Sequence, residues 1–275
     1  MKKTKIAFIR YPGGKKRMLN QILQHLPTLK TIKGRFVEPF VGSGAVFFAL
    51  NPENAILADI NPELIDLYRG IRRYPREVWR IFASFPPTKK AYYNIRDTDN
   101  KGLGLERRAA RTLYLNRTCF KGMWRQNSDG HFNVGYGGQD RRWVIQKDDL
   151  AAVSCRLKYA SLKASDFEEI IDACKKGDFI FVDPPYRPGG VEMLHDHYVH
   201  SRFSYNDHKR LAQALRRASV RGVKWALTTS SNPRILKLFR LNRIIRLPRG
   251  TGKKPGILTP RSGEVLICNY KEDPK

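Results

Sequence analysis

Phe36-Val37-Glu38-Pro39-Phe40-Val41-Gly42-Ser43-Gly44-Ala45-Val46-Phe47-Phe48 reads as a strand, a glycine loop and a helix. Glycines at 42 and 44 let the backbone turn tightly and approach a ligand with no Cβ in the way. The next apolar run, Ala55-Ile56-Leu57-Ala58, ends at Asp59. Dinucleotide-type folds place an acid there on ribose hydroxyls. The third glycine of a GxGxxG loop is missing, because Phe47 stands in its place. That argues against a pyrophosphate and for a smaller nucleoside-bearing ligand. Asp59 also reads as an N-cap for a helix at Pro62, a task Asn61 serves equally well.

Working outward, short apolar runs alternate with helical patterns, which implies an α/β fold with a largely parallel, Rossmann-like sheet. The expected strands are residues 35–37, 55–58, 158–162, 179–182, 224–228 and 265–268. Helices are expected at 15–26 and 211–218. The stretch 64–154 breaks the alternation. It reads as helices at 76–85 and 106–114, then a polar, aromatic, glycine-rich segment up to Gly138. We therefore expect a catalytic domain of residues 1–63 plus 155–275, with 64–154 inserted as a mostly helical subdomain.

Lys and Arg number 52 against 25 Asp and Glu, a net charge of +27 on 275 residues. Self-repulsion opposes compaction, so a polyanionic partner is the natural explanation, and nucleic acid is the commonest. No apolar stretch reaches the ~20 residues of a membrane span, and no lipidation motif is present. The basic N-terminus is followed by too short an apolar stretch for a signal peptide. The four cysteines, at 119, 155, 174 and 268, lack metal-site spacing and read as reduced structural thiols in a cytoplasmic protein. No metal is expected.

The run Phe179-Ile180-Phe181-Val182 leads directly into Asp183-Pro184-Pro185-Tyr186. Open α/β sheets bind ligands at the carboxyl ends of their strands. A stiff turn with a carboxylate, a free Pro184 carbonyl and an aromatic face suits a planar group bearing an NH₂. A Pro-rich turn that merely ends a strand is the plainer alternative. Near the N-terminus, Lys15 follows Gly13-Gly14. It reads either as a surface lysine escaping the positive end of a helix or as the partner of a ligand carboxylate. The hexapeptide 10–15 alone favours the surface lysine.

Residues 116–135 read as a β-hairpin, with Asp129-Gly130 as a favoured turn pair. A two-stranded ribbon fits the DNA major groove. Arg107, Arg108 and Arg111 read as a solvated or phosphate-facing surface.

Together these segments resemble the Dam-type (alpha group) DNA adenine N6-methyltransferases. The likeness rests on Tyr11 to Lys15, Phe36 to Phe48, Asp59 to Pro62, Asn116-Arg117 with the segment through Gly137, and Asp183 to Tyr186. Phe203-Ser204 and Leu266 to Tyr270 add to it. The order of these segments covers nearly the whole chain. The resemblance implies S-adenosylmethionine as donor, with Tyr11, Lys15, Asp59 and Asp183 on the cofactor. Phe40, Gly42 and Gly44 would line its methionine end. Asp166-Phe167 looks like the pair that edges its adenine, although Asp166 serves equally as a helix cap and Phe167 as a core residue.

Asp183, Pro184 and Tyr186 would then be catalytic, with the base flipped out of duplex DNA, since a stacked base cannot reach such a pocket. Asn116, Arg117, Lys121, Met123 and Arg125 would contact DNA. Arg125 would read a guanine edge, and Met123 or Trp124 would act as a wedge. The resemblance also implies a monomer on double-stranded DNA, associated with the nucleoid, and a separate cognate restriction endonuclease. The target would be GATC or a related site. Two departures, Gly135 in place of proline and Lys121 in place of asparagine, fall in the recognition segment, so GATC itself does not follow. Two alternatives stand beside this one. The first is methylation of another exocyclic amine, RNA adenine or DNA cytosine N4. The second is a DNA-binding regulator that has lost catalysis.

Overall fold

The computed structural model describes residues 8–11, 15, 18–100, 102–125, 127, 131–138, 144–185, 203–250 and 258–271. In chain order its elements are α1 (Leu19–His25), β1 (Phe36–Glu38), α2 (Ala45–Leu50), β2 (Ala55–Asp59), α3 (Pro62–Arg73), α4 (Pro75–Ser84), α5 (Lys89–Asp97), α6 (Leu105–Thr118), α7 (Lys147–Leu157), β3 (Ala160–Ala164), α8 (Phe167–Asp172), β4 (Phe179–Val182), α9 (Tyr205–Val220), β5 (Lys224–Ser230), α10 (Pro233–Leu238), β6 (Arg243–Gly250) and β7 (Leu258–Cys268).

The strands form a seven-stranded sheet in the order β3-β2-β1-β4-β5-β7-β6. β1 pairs in parallel with β2 and with β4, and β4 in parallel with β5. β7 runs antiparallel to both β5 and β6. β1, β2 and β4 are buried along their whole length, as parallel strands covered by helices must be. That burial is why they read as apolar runs. The α/β class and the largely parallel, Rossmann-like sheet are therefore as the sequence implied. Strand order reverses between β1 and β4, and the crevice at such a switch point is where these sheets bind ligands. The glycine loop leaves β1 and Asp183 leaves β4, so both lie at carboxyl ends beside it. At the opposite ends, Arg35 ties the two strands together. Its Nε and Nη2 donate to the Asp178 carboxylate at 3.2 and 2.6 Å, and its backbone N–H donates at 2.7 Å.

β6 departs from the expected pattern. Its Arg243-Ile244-Ile245-Arg246-Leu247-Pro248 mixes charge and proline into an edge strand. Its pairing with β7 shifts register between Leu247 and Arg249, around a residue with no N–H. The first helix also differs, starting at Leu19 and not at Lys15.

Among the described residues the chain divides into two compact units. One takes residues 8–11 and 61–164, the other 15–60, 165–185 and 203–271. The expected insertion, 64–154, lies within the first. In the second, Val37, Ile56, Ile180, Val182 and Leu227 of the sheet pack with Phe167, Leu211 and Leu215 of the helices.

The first unit is built on α3 to α7. Asn61 caps α3, accepting from the Glu63 and Leu64 N–H groups at 3.1 and 3.3 Å. α5 and α7 went unread in the sequence because each begins with charged residues. Thr88 caps α5, and a Gln146–Asp149 capping box starts α7. Of the arginines read as a solvated face of α6, only Arg107 is exposed. Arg111 is buried, and its Nε and Nη2 donate to the Ile95 and Arg96 carbonyls at 2.9 and 2.5 Å, satisfying the end of α5. Burial pulls its pKa down, with Glu63 opposing. Arg108 donates to Asp66 at 3.1 and 3.0 Å, which leaves Arg107 exposed.

The expected hairpin is present in part, with its first arm starting helical and interrupted. Asn116 to Thr118 form the last turn of α6, and residues 120–122 a single 3-10 turn. Among the described residues, antiparallel backbone bonds flank the Cys119–Tyr136 bridge, from the Phe120 N–H to the Gly135 carbonyl and from the Gly137 N–H to the Thr118 carbonyl (both 2.9 Å), and farther out the Asn133 N–H donates to the Arg125 carbonyl (3.0 Å) and the Asn127 N–H to the His131 carbonyl (2.9 Å). Lys121 and Gly122 have φ of 52° and 66°, which no continuous strand accommodates. A side chain at Gly122 would also meet Arg10, with its Cβ 2.5 Å from that of Arg10. Asp129-Gly130 lies outside the described residues.

Candidate active site

In the second unit the glycine loop is clamped to the end of β2. The Val41 N–H donates to the Ala58 carbonyl at 2.8 Å, and the Gly42 N–H donates to Asp59 Oδ2 at 3.1 Å. Gly42 and Gly44 have φ of 45° and 62°, a conformation that β-carbons disfavour, and Gly44 starts α2. Because Asn61 caps the following helix, Asp59 is not needed there and instead shapes the loop.

Glu38, absent from the expected site, ends β1 beneath this loop. Its Oε1 accepts from the Phe47 N–H at 3.2 Å, and its buried Oε2 has no hydrogen-bond partner among the described residues. Burial raises its pKa well above the usual carboxylate range. The Phe47 N–H bond offsets this in part, and the nearby charge of Asp183 adds to the rise. The sequence signal of Glu38 was an acid at the end of an apolar strand, immediately before Pro39.

Asp183 emerges from β4 into two donors. Lys15 Nζ lies 2.7 Å from its Oδ1, and the Thr228 hydroxyl donates to the same oxygen at 2.6 Å. Lys15 is only 5% exposed, so it is not a surface lysine. It also precedes α1 by four residues and escapes the helix macrodipole that had argued against it. Among the described residues, Oδ2 of Asp183 receives no donor. Pro184 is buried and Pro185 exposed. Tyr186 lies outside the described residues. Thr228 had no signal of its own. It enters because Val182 pairs with Leu227, which puts the next residue of β5 beside Asp183.

Phe40 stacks on Phe167 with centroids 5.2 Å apart, and Phe203 packs edge-on against Phe40 at 5.6 Å. Asp166 accepts from the Glu168 N–H at 2.9 Å and from Arg210 Nη2 at 3.0 Å. It is thus a helix cap and an ion-pair partner, and Phe167 is a core residue under the Arg210 guanidinium. Of the expected cofactor residues, Lys15, Phe40, Gly42, Gly44, Asp59, Asp166, Phe167 and Asp183 all belong to this unit, while Tyr11 belongs to the other.

In the first unit Tyr11 lies 6.2 Å from the Trp124 ring. Trp124 is buried, so it is no exposed wedge. Asn116 is fully buried and bridges the Arg10 backbone, accepting from its N–H at 2.8 Å and donating to its carbonyl at 2.6 Å. Arg117 is buried as well. Both therefore pack the unit and do not face a phosphate. Lys121 is exposed, and Met123 and Arg125 are half-buried. Arg125 donates from Nε to Asn133 Oδ1 at 2.8 Å and from Nη2 to the Asn133 carbonyl at 3.2 Å. Among the described residues, Nη1 is not used in either bond, so the outer edge of the guanidinium keeps donors for a further partner.

The arrangement in the second unit offers a carboxylate oriented by two donors, a backbone turn without N–H groups, and a glycine loop beside an acid. It suits binding of a nucleoside-bearing ligand and polarisation of an amine. The family model of the D12 class N6 adenine-specific DNA methyltransferase matches residues 11–248. The Type II methyltransferase M1.LlaDCHI of Lactococcus lactis subsp. cremoris is 33% identical, over 98% of each chain. M.MjaIII of Methanocaldococcus jannaschii, another Type II methyltransferase, is 31% identical over 96% of this chain and 98% of its own. A DNA adenine methylase of Vibrio cholerae serotype O1 is 30% identical over 87% of this chain and 86% of its own. Among solved structures, an rRNA methyltransferase from Streptomyces viridochromogenes matches over 98% of this chain and 92% of its own, at 13% identity and a TM-score of 0.38, too low to carry any argument.

Proposed function

Because the chain belongs to the D12 class of N6 adenine-specific DNA methyltransferases, we propose that it takes its methyl group from S-adenosylmethionine and acts on an adenine flipped out of duplex DNA, with Asp183 as the centre of the chemistry. The observation that carries this reading is the fixed carboxylate at the end of β4, with Lys15 and Thr228 on one oxygen and no donor among the described residues on the other.

The residues present fit the cofactor. The loop at Phe40 to Gly44 has the left-handed glycines that a close backbone approach requires, Asp59 ends β2 where a ribose would sit, and the buried Glu38 Oε2 has no hydrogen-bond partner among the described residues. When bound, S-adenosylmethionine supplies an electrophilic methyl group on a sulfonium. Tyr11, Lys15 and Asp59 are assigned to holding it, with Phe40 and the loop glycines lining its methionine end. Asp166 and Phe167 would support its adenine from behind, given their cap and core contacts.

The chain's own part in the chemistry is to position an amine. Adenine N6 is a poor nucleophile because its lone pair is delocalised into the ring. Asp183 Oδ2 would accept one N6 hydrogen and the Pro184 carbonyl the other, which favours a tetrahedral nitrogen and stabilises the positive charge that develops on it. Tyr186 would stack on the base. Asp183 need not be a strong base, since the methylated nitrogen loses its proton readily. Arg125, held by Asn133, would read a guanine edge, worth ~1–3 kcal/mol of discrimination. Lys121 and Met123 would contact the DNA near it. We assign residues 64–154 to target recognition. GATC is not assumed, because Lys121 and Gly135 alter the recognition segment. A cognate restriction endonuclease would act separately on the same site, and the protein would work as a monomer among the cell's nucleoid DNA.

The test is Asp183→Ala. We expect tritiated-methyl incorporation into duplex DNA to vanish while DNA affinity stays within about tenfold, since phosphate contacts dominate affinity. Incorporation at the wild-type rate would remove Asp183 from the chemistry.

A further inference from the structure

We propose that Thr228 is a positioning residue for methyl transfer: with Lys15 it holds Asp183 by Oδ1, which commits Oδ2 to the substrate amine. The proposal rests on the assignment of Asp183 to the N6 amine made above.

The geometry singles out the hydroxyl. Thr228 is buried at 1% exposure on the strand next to Asp183. A hydroxyl has one proton to give. Two acceptors lie near it, Asp183 Oδ1 at 2.6 Å and the Val182 carbonyl at 3.3 Å. The shorter contact is to an anion, within the range of strong charge-assisted O–H···O⁻ bonds, and the longer one is beyond the usual range for O–H donors. The proton therefore goes to Asp183.

Lys15 alone would not achieve the same result. Its ammonium is a point charge with rotating donors on a flexible stem. It neutralises the carboxylate at 2.7 Å but can donate to either oxygen equally well. Threonine is β-branched, with few χ1 states, and its backbone is fixed by pairing to Leu266 of β7. A hydroxyl on so stiff a mount names one oxygen. With Oδ1 taken twice, the carboxylate cannot rotate without breaking a charge-assisted bond, so Oδ2 presents a constant direction to an incoming NH₂. The fold builds this from the parallel register of β4 and β5, in which Val182 pairs with Leu227 and the following residues become neighbours.

The experiment measures single-turnover methyl transfer to a saturating DNA duplex, together with KM for donor and DNA, in Thr228→Val, Thr228→Ser and Asp183→Ala. Valine keeps the shape and removes the hydroxyl, while serine keeps the hydroxyl. A misaimed acceptor lowers the chemical step by about 10- to 100-fold in Thr228→Val, with both KM values nearly unchanged. Thr228→Ser restores most of the rate. Urea unfolding identifies a variant that fails to fold, in which case Thr228→Ala supplies the arm without a hydroxyl. The proposal is overturned if the valine variant turns over at the wild-type rate, if serine falls as far as valine, or if the loss lies in KM alone. Asp183→Ala separates the two levels. If it is inactive while Thr228→Val is fully active, only the role of Thr228 fails. If it remains active, the assignment of Asp183 fails as well.

Discussion

His208 shows what burial does to a titratable side chain in this protein. It lies on α9 with its ring edge-on to Phe203 at 4.8 Å, next to the Phe40–Phe167 stack. Burial lowers its pKa to about 4, against a weaker opposing pull from Asp207. The sign follows from proton binding. Between about pH 6.5 and 4 the unfolded chain takes up a proton here that the folded chain refuses, so folding stability falls as pH drops through that window and is unaffected above it. At about 1.4 kcal/mol per pH unit the largest loss is on the order of 3 kcal/mol. Urea unfolding at pH 7, 6 and 5 should therefore show wild type losing more stability than His208→Phe. Parallel pH profiles for the two would remove His208 as a source of acid sensitivity. The same scale shows what could be read from residue order. The places of Asp59, Asp183 and the two loop glycines were legible because apolar runs mark the strands they end or follow. The hexapeptide around Lys15 alone pointed to a surface residue, since its partner Asp183 lies 168 positions away. Thr228 was invisible, because one threonine in an apolar strand has no meaning until its neighbour strand is known.

Elements meet closely where side chains shrink. Gly70 on α3 faces Ala109 on α6, and a Cβ added there would collide with the Ala109 Cβ and lie 3.1 Å from the Leu105 carbonyl oxygen. Glycine to alanine inside a helix gains up to about 1 kcal/mol of propensity. Forcing extra volume into a packed contact costs about 1–3 kcal/mol. Packing should win, because the obstacle is another helix and not the end of a flexible side chain. Gly70→Ala is expected to lower the free energy of unfolding by a net ~1 kcal/mol or more, and adding Ala109→Gly should recover part of that loss. Urea titration of the two single variants and the double variant measures the coupling. A stabilised Gly70→Ala, or purely additive variants, would mean that the helices separate freely. The elements that sequence revealed best were the buried strands and the amphipathic helices α4 and α9, whose apolar spacing is imposed by one covered face. β6 escaped because its arginines and Pro248 obey the needs of an edge, where unpaired backbone must be shielded from other chains. α5 and α7 escaped because capping, more than apolar spacing, marks their starts.

At the scale of the molecule the charge of +27 is a surface property whose distribution the sequence could not show. Several arginines are already paired within the protein. Arg35 pairs with Asp178, Arg108 with Asp66, and Arg210 and Arg217 with acids of α8. Arg111 closes the end of α5. These pairs are neutral overall, so the excess resides in exposed groups such as Arg73, Arg76, Arg80, Lys89, Lys90 and Arg107 of the first unit. A positive surface on a DNA-modifying enzyme binds by releasing the counterions condensed on phosphates, and each phosphate neutralised contributes about −0.9 to the slope of log affinity against log salt. Binding to duplex DNA without a target site should accordingly weaken by at least about 100-fold between 50 and 200 mM salt. The methyl-transfer step at saturating DNA should hardly change, because the bonds at Asp183 are short, partly buried and poorly screened. Fluorescence anisotropy on a duplex across that salt range, paired with single-turnover assays, measures both quantities. A shallow salt dependence of binding would mean that the exposed cations do not face the phosphates. A rate that falls in step with affinity would mean that the charged surface and the chemistry are not separate parts of the protein.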